Sequence, residues 1–437
     1  MNLFQQSNMK YAPISSELFV GNRQRLTKLL KPKSMALLNS NDIMPTNADG
    51  TMGFRQNTDL FHLTGIDQEE SILLLFPDSP IEKYREVLFL RETNDHIAVW
   101  EGYKYTKQHA HEVSGIQTIL WTHQFEGVLR QIVFEAENIY LNQNEHSRNS
   151  SEVQTRDTKF VNMMKDRFPL HKLERLAPLM HNIRAIKQPI EVELLKEAVR
   201  ITKAGFERVA RFVKPGVMEY ELEAELLHEF VRNRSTGFAY TPIIASGASA
   251  CVLHYIENNR PCKDGDILLL DVAAEYANYN ADLTRSIPVN GRFTPRQKQV
   301  YSAVLRAMKF CKNLMKPGAL WDENQKEVEN FLEAELIGLG LLDKHEVANQ
   351  NPDNPLYKKY FMHGVSHFLG LDVHDVGNKY RRFEAGMVFT CEPGLYIPEE
   401  GLGVRLENNI LITETGNLDL MASIPIEIEE IEDLMNS

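Results

Sequence analysis

Runs of apolar residues separated by polar turns recur through the first 180 residues and predict strands that alternate with helices. The stretches SILLLFP and REVLFLRE each contain at least four consecutive apolar residues, which indicates buried strands. FEGVLRQIVFEA spaces its apolar residues as an amphipathic helix does. The polar stretch 142–158 is typical of a loop. This alternation predicts an α/β arrangement for the N-terminal part of the chain.

A change of pattern near HNIRAIKQPIE, residues 181–191, predicts a domain boundary. Pro189 suits the first turn of a helix, where its missing N–H has no intrahelical partner to lose. The helix that follows is expected to bury five residues at helical spacing: Ile190, Leu194, Ala198, Ile201 and Ala204. A second helix of similar pattern is expected near 219–234. The sequence thus predicts an N-terminal domain over 1–180 and a second domain over 185–437.

Strand-like runs dominate after residue 240, and one long helical region, 295–340, interrupts them. These runs are TPIIASG, GDILLLDVAAEY, residues 279–289, AGMVFTCEPGLYI and ENNILIT. The pattern favours an α+β domain with a largely antiparallel sheet. The tail IPIEIEEIEDLMNS keeps its apolar residues in register, so either a docked last element or a frayed end is compatible with it.

Composition and charge narrow the class of protein. Of 437 residues, 43% are hydrophobic and 25% are charged, and the net charge of −12 argues against a nucleic-acid or anionic-membrane binder. MNLFQQSNMKYAPI lacks the features of a secretory signal, and the apolar run 72–76 is too short to cross a bilayer. Four widely spaced cysteines without a CxxC pair favour reduced thiols. We therefore expect a cytoplasmic protein.

Two aspartates occupy positions where an apolar strand ends. Asp271 follows ILLL, and an ionised side chain there is costly to bury unless something pairs with it. Asp282 comes eleven residues later, beyond an expected turn at 276–278. If the two strands form a hairpin, these carboxylates lie directly opposite or on a near diagonal, roughly 5 to 7 Å apart. Such a pair either shares a proton or binds a cation.

Two glutamates occupy similar positions, with histidines between the acidic pairs in sequence. Glu392 follows AGMVFTC, and Glu407 lies two residues after Arg405, on the same face of a strand. The histidines belong to FMHGVSHFLGLDVHDVG, residues 361–377. Four carboxylates balance two divalent ions better than one, and a bridging hydroxide would add further negative charge. An oxygen-rich shell with one imidazole favours Mn²⁺, with Co²⁺, Fe²⁺ or Zn²⁺ as alternatives.

Simpler explanations apply to each of these residues alone. A single aspartate at a strand end is usually a turn or cap residue, and a single histidine is more often structural than a ligand. The segment HGVSH has the HxxxH spacing of a zinc protease, but it lacks the glutamate and its Gly-Val-Ser interior is a poor helix. The ordered set of acidic residues and histidines, each in a matching context, favours a metal site.

Five segments together resemble the aminopeptidase P family of pita-bread-fold metallopeptidases: SACVLHY, GDILLLDVAAEYANYNADLTRSIPVNGRF, FMHGVSHFLGLDVHDVG, EPGLYI and GLGVRLENNILIT. The resemblance covers most of 185–437, and GFRQNTDLFHLTGIDQEESILLL extends it more loosely into the first 180 residues. It implies an α+β protein: a C-terminal pita-bread domain and a smaller, creatinase/prolidase-like N-terminal α/β domain that governs access and oligomer contacts. Asn280 stands near a position where relatives often have glycine, and 345–360 is expected to be a variable loop.

The resemblance also implies roles for individual residues. Asp271 would hold one metal ion, His367 and Glu392 the other, and Asp282 and Glu407 would bridge both. A further set matches the positions that surround the metals or contact substrate: His254, His363, His374, Tyr396 and Arg405. Of these, His254, His363, His374 and Arg405, together with Glu392, would take part in catalysis.

The activity implied is release of the N-terminal residue from peptides with proline second, through attack of a metal-bridging hydroxide. An Xaa-Pro bond is a tertiary amide without an N–H, so the ring must be recognised by shape. By analogy His254 would stabilise the oxyanion, Glu392 would carry the proton to the imide nitrogen and His374 would assist.

Three alternatives to this activity remain open. A prolidase, which cleaves only Xaa-Pro dipeptides, shares the metal site. A creatinase-like hydrolase has the same fold but lacks the carboxylate set, and a non-catalytic binding protein on this fold usually loses ligands. The resemblance further implies a dimer or tetramer, with peptides as the partners and neither nucleic acid nor membrane among them.

Overall fold

A computed structural model describes residues 10–437 of the chain; the first nine residues, where the stretch considered for a secretory signal begins, lie outside the described part. The chain divides into two compact units between Arg184 and Ala185. Helices and strands mix in both units, which confirms the predicted α+β class. Within 10–437, no helix combines the length and apolar character that a membrane span requires.

The N-terminal unit contains a six-stranded mixed sheet flanked by helices. Its strands are β1 (Ser34–Asn39), β2 (Ile72–Leu75), β3 (Glu86–Leu90), β4 (Thr118–Trp121), β5 (Asn138–Leu141) and β6 (Lys172–Arg175). Its helices are α1 (Ser16–Thr27), α2 (Thr58–Thr64), α3 (Asp95–Glu101), α4 (Lys107–Ser114), α5 (Phe125–Ile132), α6 (Arg156–Arg167) and α7 (Ala177–Ala185), the last ending at the boundary. The strand order is β4-β3-β2-β1-β5-β6, with β2 antiparallel to both neighbours.

Apolar side chains cover both faces of this sheet. Successive residues of a strand point to opposite faces, so Leu73 belongs to one apolar cluster and Leu74 to the other. This is why SILLLFP and REVLFLRE show unbroken apolar runs. The predicted helix in FEGVLRQIVFEA is confirmed but ends at Ile132, followed by a short 3₁₀ turn. The predicted loop 142–158 is three residues too long, because Thr155 caps α6.

The C-terminal unit contains short antiparallel strand groups and long helices. Its strands are β7 (Ile243–Ser246), β8 (Ile267–Asp271), β9 (Glu275–Tyr276), β10 (Tyr279–Asn280), β11 (Thr284–Pro288), β12 (Val388–Cys391), β13 (Gly394–Ile397), β14 (Leu402–Arg405), β15 (Asn408–Ile412) and β16 (Asn417–Asp419). Its helices are α8 (Pro189–Phe212), α9 (Glu219–Arg232), α10 (Pro295–Leu314), α11 (Trp321–Gly338), α12 (Lys344–Ala348) and α13 (Ile428–Met435). The antiparallel sheet predicted for this region is confirmed.

The buried face of α8 differs from the predicted one. Ala198 and Ile201 are buried as expected, but the other three predicted positions are only half-buried: Ile190, Leu194 and Ala204. The helix instead buries a face that includes Thr202 and Gly205. A Cβ at Gly205 would lie 2.5 Å from the Phe230 ring of α9, so the two helices approach closely there. The buried face also includes the large apolar residues Leu195, Val199 and Phe206, so the prediction misplaced the apolar stripe around the helix.

Two further expectations are settled in the C-terminal unit. The helical region 295–340 consists of two helices, α10 and α11, because Pro317 cannot continue a helix and Gly318 adopts a φ of +86°. The tail forms α13 and is docked, with Ile428, Ile431 and Leu434 buried.

The predicted hairpin brings the acidic strand ends together. Strands β9 and β10 are joined by Ala277 and Asn278, both with positive φ, as a tight hairpin turn requires. Asp271 pairs with Thr284 across β8 and β11, so Asp282, two residues before Thr284, takes the near-diagonal position of the two that were expected. A bridge between Thr284 and Glu407 then connects this hairpin to the β12–β15 pair.

Candidate metal centre

Three side chains of metal-ligand type converge in the C-terminal unit. Ligand atoms of Asp282, His367 and Glu407 all lie within 4.8 Å of one another. The His367 Nε2 atom is 3.3 Å from Asp282 Oδ2 and 3.6 Å from Glu392 Oε1. Asp282 and Glu407 are almost completely buried, at 4% and 2% exposure. The arrangement is a buried cluster of acidic groups around one imidazole.

Backbone pairing holds His367 in this orientation. Its N–H donates to Thr390 Oγ1 at 3.0 Å, and its carbonyl accepts from the Thr390 N–H at 2.9 Å. The Nδ1 atom donates to the Phe368 carbonyl at 2.9 Å, so Nε2 faces the carboxylates. A metal-binding histidine commonly donates its second ring nitrogen to a carbonyl in this way.

The electrostatics of the cluster show an excess of buried negative charge. Burial raises the pKa of Glu392 to about 7, although His367 opposes the shift. Burial and the charges of Asp282 and Glu392 raise the pKa of Glu407 well above its usual range. Burial alone would lower the pKa of His367, but its hydrogen bond to Asp282 and the surrounding carboxylates raise it to about 9. A divalent cation would counter this charge, and the donor set of carboxylate oxygens and one imidazole fits such an ion.

Asp271 lies beside the cluster and is held by two donors. Its Oδ2 accepts from Arg405 Nη2 at 2.7 Å, and its Oδ1 accepts from the Tyr240 hydroxyl at 2.6 Å. Burial raises the pKa of Asp271. The charge of Arg405 opposes this increase, and the charge of Asp282 reinforces it. Sequence analysis missed Tyr240. The pairing of Asp271 with Ile243, three residues after the tyrosine, explains its position, and no pattern in the sequence announces it.

Arg405, which donates to Asp271, also contacts Thr284 and Tyr396. Its Nε donates to Thr284 Oγ1 at 3.1 Å, and that hydroxyl donates to Glu407 Oε2 at 2.7 Å. Its Nη1 donates to the Tyr396 hydroxyl at 2.8 Å. Thr284 was also missed, although its place two residues after Asp282 on one strand face was a usable signal. One buried guanidinium thus orients groups from three strands.

Of the three remaining histidines, His363 lies deepest. Its Nε2 is 2.9 Å from the Tyr396 hydroxyl and its Nδ1 is 2.8 Å from the Gly364 carbonyl. Burial, and then the charge of Arg405, lowers the pKa of His363 to about 4. Its Nδ1 is also 3.9 Å from Glu392 Oε2. His363 therefore connects the arginine network to the acidic cluster.

The other two histidines are exposed beside the cluster. The ring of His374 is centred 4.2 Å from that of His367. His254 is exposed, and a positive charge on its ring would lower the pKa of His363. The segment before His254 packs closely under β14, since a Cβ at Gly403 would lie 2.2 Å from the Ala250 carbonyl oxygen. Exposed imidazoles next to a buried acidic cluster are well placed to meet a ligand.

Two protein-family models match long parts of the chain. Residues 193–414 match the model of metallopeptidase family M24, and residues 19–140 match that of the aminopeptidase P N-terminal domain. The chain therefore belongs to metallopeptidase family M24, and its N-terminal unit places it with the aminopeptidases P of that family, which confirms the resemblance.

Similar proteins match this chain along nearly its whole length. Xaa-Pro aminopeptidases of Haemophilus influenzae and Escherichia coli are 35% and 36% identical to it over 97% of this chain and 98% of theirs. The structure of E. coli aminopeptidase P with the inhibitor Pro-Leu superposes with a TM-score of 0.86, at 34% identity, over 97% of this chain and 99% of that one. A mouse Xaa-Pro dipeptidase is less similar, at 29% identity over 96% of this chain and 93% of its own.

Proposed function

We propose that this protein is a metal-dependent aminopeptidase that releases the N-terminal residue from peptides with proline at the second position. The observation that carries the proposal is the buried cluster of Asp282, His367 and Glu407. It occurs in a chain whose full length matches proteins named Xaa-Pro aminopeptidase. A fold of this family with a complete set of ligand-type residues favours an enzyme over a binding protein.

The metal assignment is part of the proposal. We assign two divalent ions, with manganese preferred: Asp271 would hold one, His367 and Glu392 would hold the other, and Asp282 and Glu407 would be shared between them. Support comes from the raised pKa values of Asp271, Glu392 and Glu407, since two divalent ions would balance four carboxylates. When bound, the ions would lower the pKa of a water molecule and polarise the scissile carbonyl.

The chain's own side chains would orient and protonate the substrate. His254 is exposed and close enough to His363 to influence its pKa, and it is assigned to donate to the developing oxyanion. Glu392 is assigned to carry a proton to the imide nitrogen as the bond breaks. His363, His374, Tyr396 and Arg405 are assigned to substrate contact or orientation. Because proline offers no amide N–H, its ring must be selected by shape and its nitrogen must receive a proton on departure.

A peptide series tests the proposal. With Mn²⁺ present, release of the N-terminal residue is measured from Xaa-Pro-Yaa, Xaa-Ala-Yaa and the dipeptide Xaa-Pro. We expect cleavage of the proline tripeptide well above the other two. Equal cleavage of the alanine tripeptide would contradict proline selectivity, and no cleavage of any peptide by the metal-loaded protein would contradict the substrate class.

A dipeptidase is the second candidate. It shares the same family, and the similarity to the mouse Xaa-Pro dipeptidase favours considering it. The higher identity to Xaa-Pro aminopeptidases over nearly their whole length favours the first candidate. Cleavage confined to the dipeptide in the series above would establish the second.

We also propose an N-terminal domain over 1–180 that limits access to the cleft and forms oligomer contacts, and a catalytic domain over 185–437. The protein would be a cytoplasmic dimer or tetramer. The four cysteines, none of which forms a disulfide, are compatible with a reducing compartment. Light scattering of the purified protein tests the assembly, and a monomer at micromolar concentration would contradict it.

A further inference from the structure

A buried ion pair lies directly beside the residue proposed to assist catalysis. Lys187, at the start of the C-terminal unit, places Nζ 2.9 Å from Asp375 Oδ2, and both side chains are only 1% exposed. Asp375 follows His374 in sequence. Buried ion pairs stabilise a fold poorly compared with apolar residues of the same size, and in some proteins their role is to specify geometry.

The backbone packs closely against the ion pair at Gly370. A Cβ at Gly370 would lie 2.2 Å from Asp375 Oδ2 and 2.8 Å from Lys187 Cε, so only glycine fits there. The Asp375 N–H donates to the Phe368 carbonyl at 2.9 Å, which closes the loop 368–375 on itself. The Lys187 N–H donates to the Gly386 carbonyl at 2.8 Å, which anchors the lysine. The loop is therefore folded tightly over the ion pair.

A second contact fixes the same loop to the acidic hairpin. Asn280 donates from its N–H to the Gly370 carbonyl at 2.9 Å, and from Nδ2 to the Leu371 carbonyl at 2.8 Å. Asn280 lies two residues before Asp282, on the strand that continues into the metal cluster. On its other side the loop presents an exposed His374, whose ring contacts that of His367.

We infer that Lys187 and Asp375 are positioning residues, whose buried ion pair holds the loop 368–375 so that His374 faces the bond to be cleaved. The inference rests on the proposed function, in which His374 contacts the substrate. The pair is placed to act through the backbone of this loop. Disturbing it should therefore reduce turnover only as far as His374 contributes to turnover.

The test is a set of double-variant comparisons on the full-length, metal-loaded enzyme with Xaa-Pro-Yaa as substrate. Lys187→Met, Asp375→Asn and Gly370→Ala are each made alone and together with His374→Ala. Alone, each is expected to lower kcat roughly 10-fold with the metal content unchanged, as loss of a supporting contact does. In the His374→Ala background the same changes are expected to lower kcat by less than about twofold, because the group they position is gone.

Controls separate positioning from stability. Lys298→Met removes a lysine from another ion pair of the C-terminal unit, at 3.0 Å from Glu432, and should leave kcat unchanged. Lys187→Met leaves a buried carboxylate without its partner, and Gly370→Ala brings a Cβ to 2.2 Å from that carboxylate, so both are expected to lower stability. Asp375→Asn keeps an acceptor for the lysine and decides the question if the other two variants do not fold.

Each outcome has one meaning. Equal losses in both backgrounds would show that the pair is merely structural, and an unchanged kcat in the single variants would also overturn the inference. Failure of the wild-type enzyme to cleave the proline tripeptide would instead contradict the proposed function, and the inference would fall with it.

Discussion

The same tetrapeptide, Ile-Leu-Leu-Leu, forms a buried central strand in each unit of the molecule. In the N-terminal unit it is β2, between β1 and β3, and the next residue is a fully buried phenylalanine, Phe76. In the C-terminal unit it begins β8, between β7 and β11, and the next residue is Asp271. Apolar clusters cover both faces of the first sheet, whereas the second strand ends among charged groups.

The comparison shows that this apolar run forms a buried strand in both units. The residue that follows the run distinguishes a purely structural strand from one that carries a chemical group. Burying Phe76 stabilises the sheet through apolar contacts alone. Burying Asp271 is unfavourable unless donors compensate, and Tyr240 and Arg405 supply them. The first strand is structural, and the second carries a chemical group on a rigid support.

The largest effect is expected from removing a carboxylate at the centre of the site. Asp282→Ala or Glu407→Ala should lose bound metal and nearly all activity together, because both groups lie among the ligand-type atoms of the cluster. Elemental analysis and cleavage of a proline tripeptide measure this. Asp157→Asn, at a buried carboxylate of the N-terminal unit, is the matched control and should retain metal and activity. Full metal binding by Asp282→Ala would refute the assignment.

Replacing His254 should separate chemistry from metal binding. His254→Ala is expected to keep its metal ions but to lower kcat by roughly 10² to 10³, as loss of an oxyanion donor does. Steady-state kinetics and metal analysis on one preparation check both halves. An unchanged kcat would exclude the role.

Shortening one leucine in each copy of the tetrapeptide compares the two strands directly. Leu74→Ala and Leu269→Ala each remove a side chain that is at most 1% exposed, and each should lower the free energy of unfolding by about 2–5 kcal/mol. Leu74→Ala should leave kcat of the folded enzyme unchanged, whereas Leu269→Ala, two residues from Asp271, should lower it. Urea denaturation measures the free energies of unfolding, and steady-state kinetics measure kcat. Equal kcat values for the two variants would contradict the functional distinction between the strands.

A smaller effect concerns pH and the buried carboxyl of the N-terminal unit. Burial raises the pKa of Asp157 to about 7, a shift that hydrogen bonding from Asn39 opposes and the charge of Asp59 reinforces. Between pH about 4 and 7 the folded state retains a proton that the unfolded chain has released, so this group lowers stability as pH rises through that window.

Asp157→Asn removes this pH dependence. Relative to the wild type, the variant should gain about 2–4 kcal/mol in free energy of unfolding between pH 5 and pH 8. Urea denaturation of both proteins at the two pH values measures the change. A stability difference that is the same at both pH values would show that Asp157 titrates normally.

Sequence analysis predicted the position of the acidic strand ends best where an ionisable residue, which is unfavourable to bury, interrupts an apolar pattern. Asp271 stands out after four buried residues, and the turn before Asp282 fixed the hairpin that brings them together. Tyr240 and Thr284 were missed because neutral hydroxyl groups next to strands are common, and only the place of Thr284, two residues after Asp282, offered a usable signal. Their importance depends on which strand pairs with which, information that residue patterns did not contain.

The helices teach a related lesson. The predicted face of α8 was misplaced because apolar residues occupy both buried positions, such as Leu195 and Phe206, and half-buried ones, such as Leu194, and the pattern alone does not distinguish them. The close approach of Phe230 at Gly205 determines that face, and it is a property of two helices rather than one. The ion pair between Lys187 and Asp375 was not foreseen for the same reason, since its partners are 188 residues apart.

The central claim is that the buried acidic cluster holds the metal ions that proline-directed cleavage requires. The most direct test is to titrate metal-free enzyme with Mn²⁺ while following release of the N-terminal residue from Xaa-Pro-Yaa, with Glu407→Gln in parallel. The account predicts activity that rises with added metal to saturation at two ions per chain, and weak binding with little activity in the variant. Full activity of metal-free enzyme, or undiminished metal binding by Glu407→Gln, would contradict it.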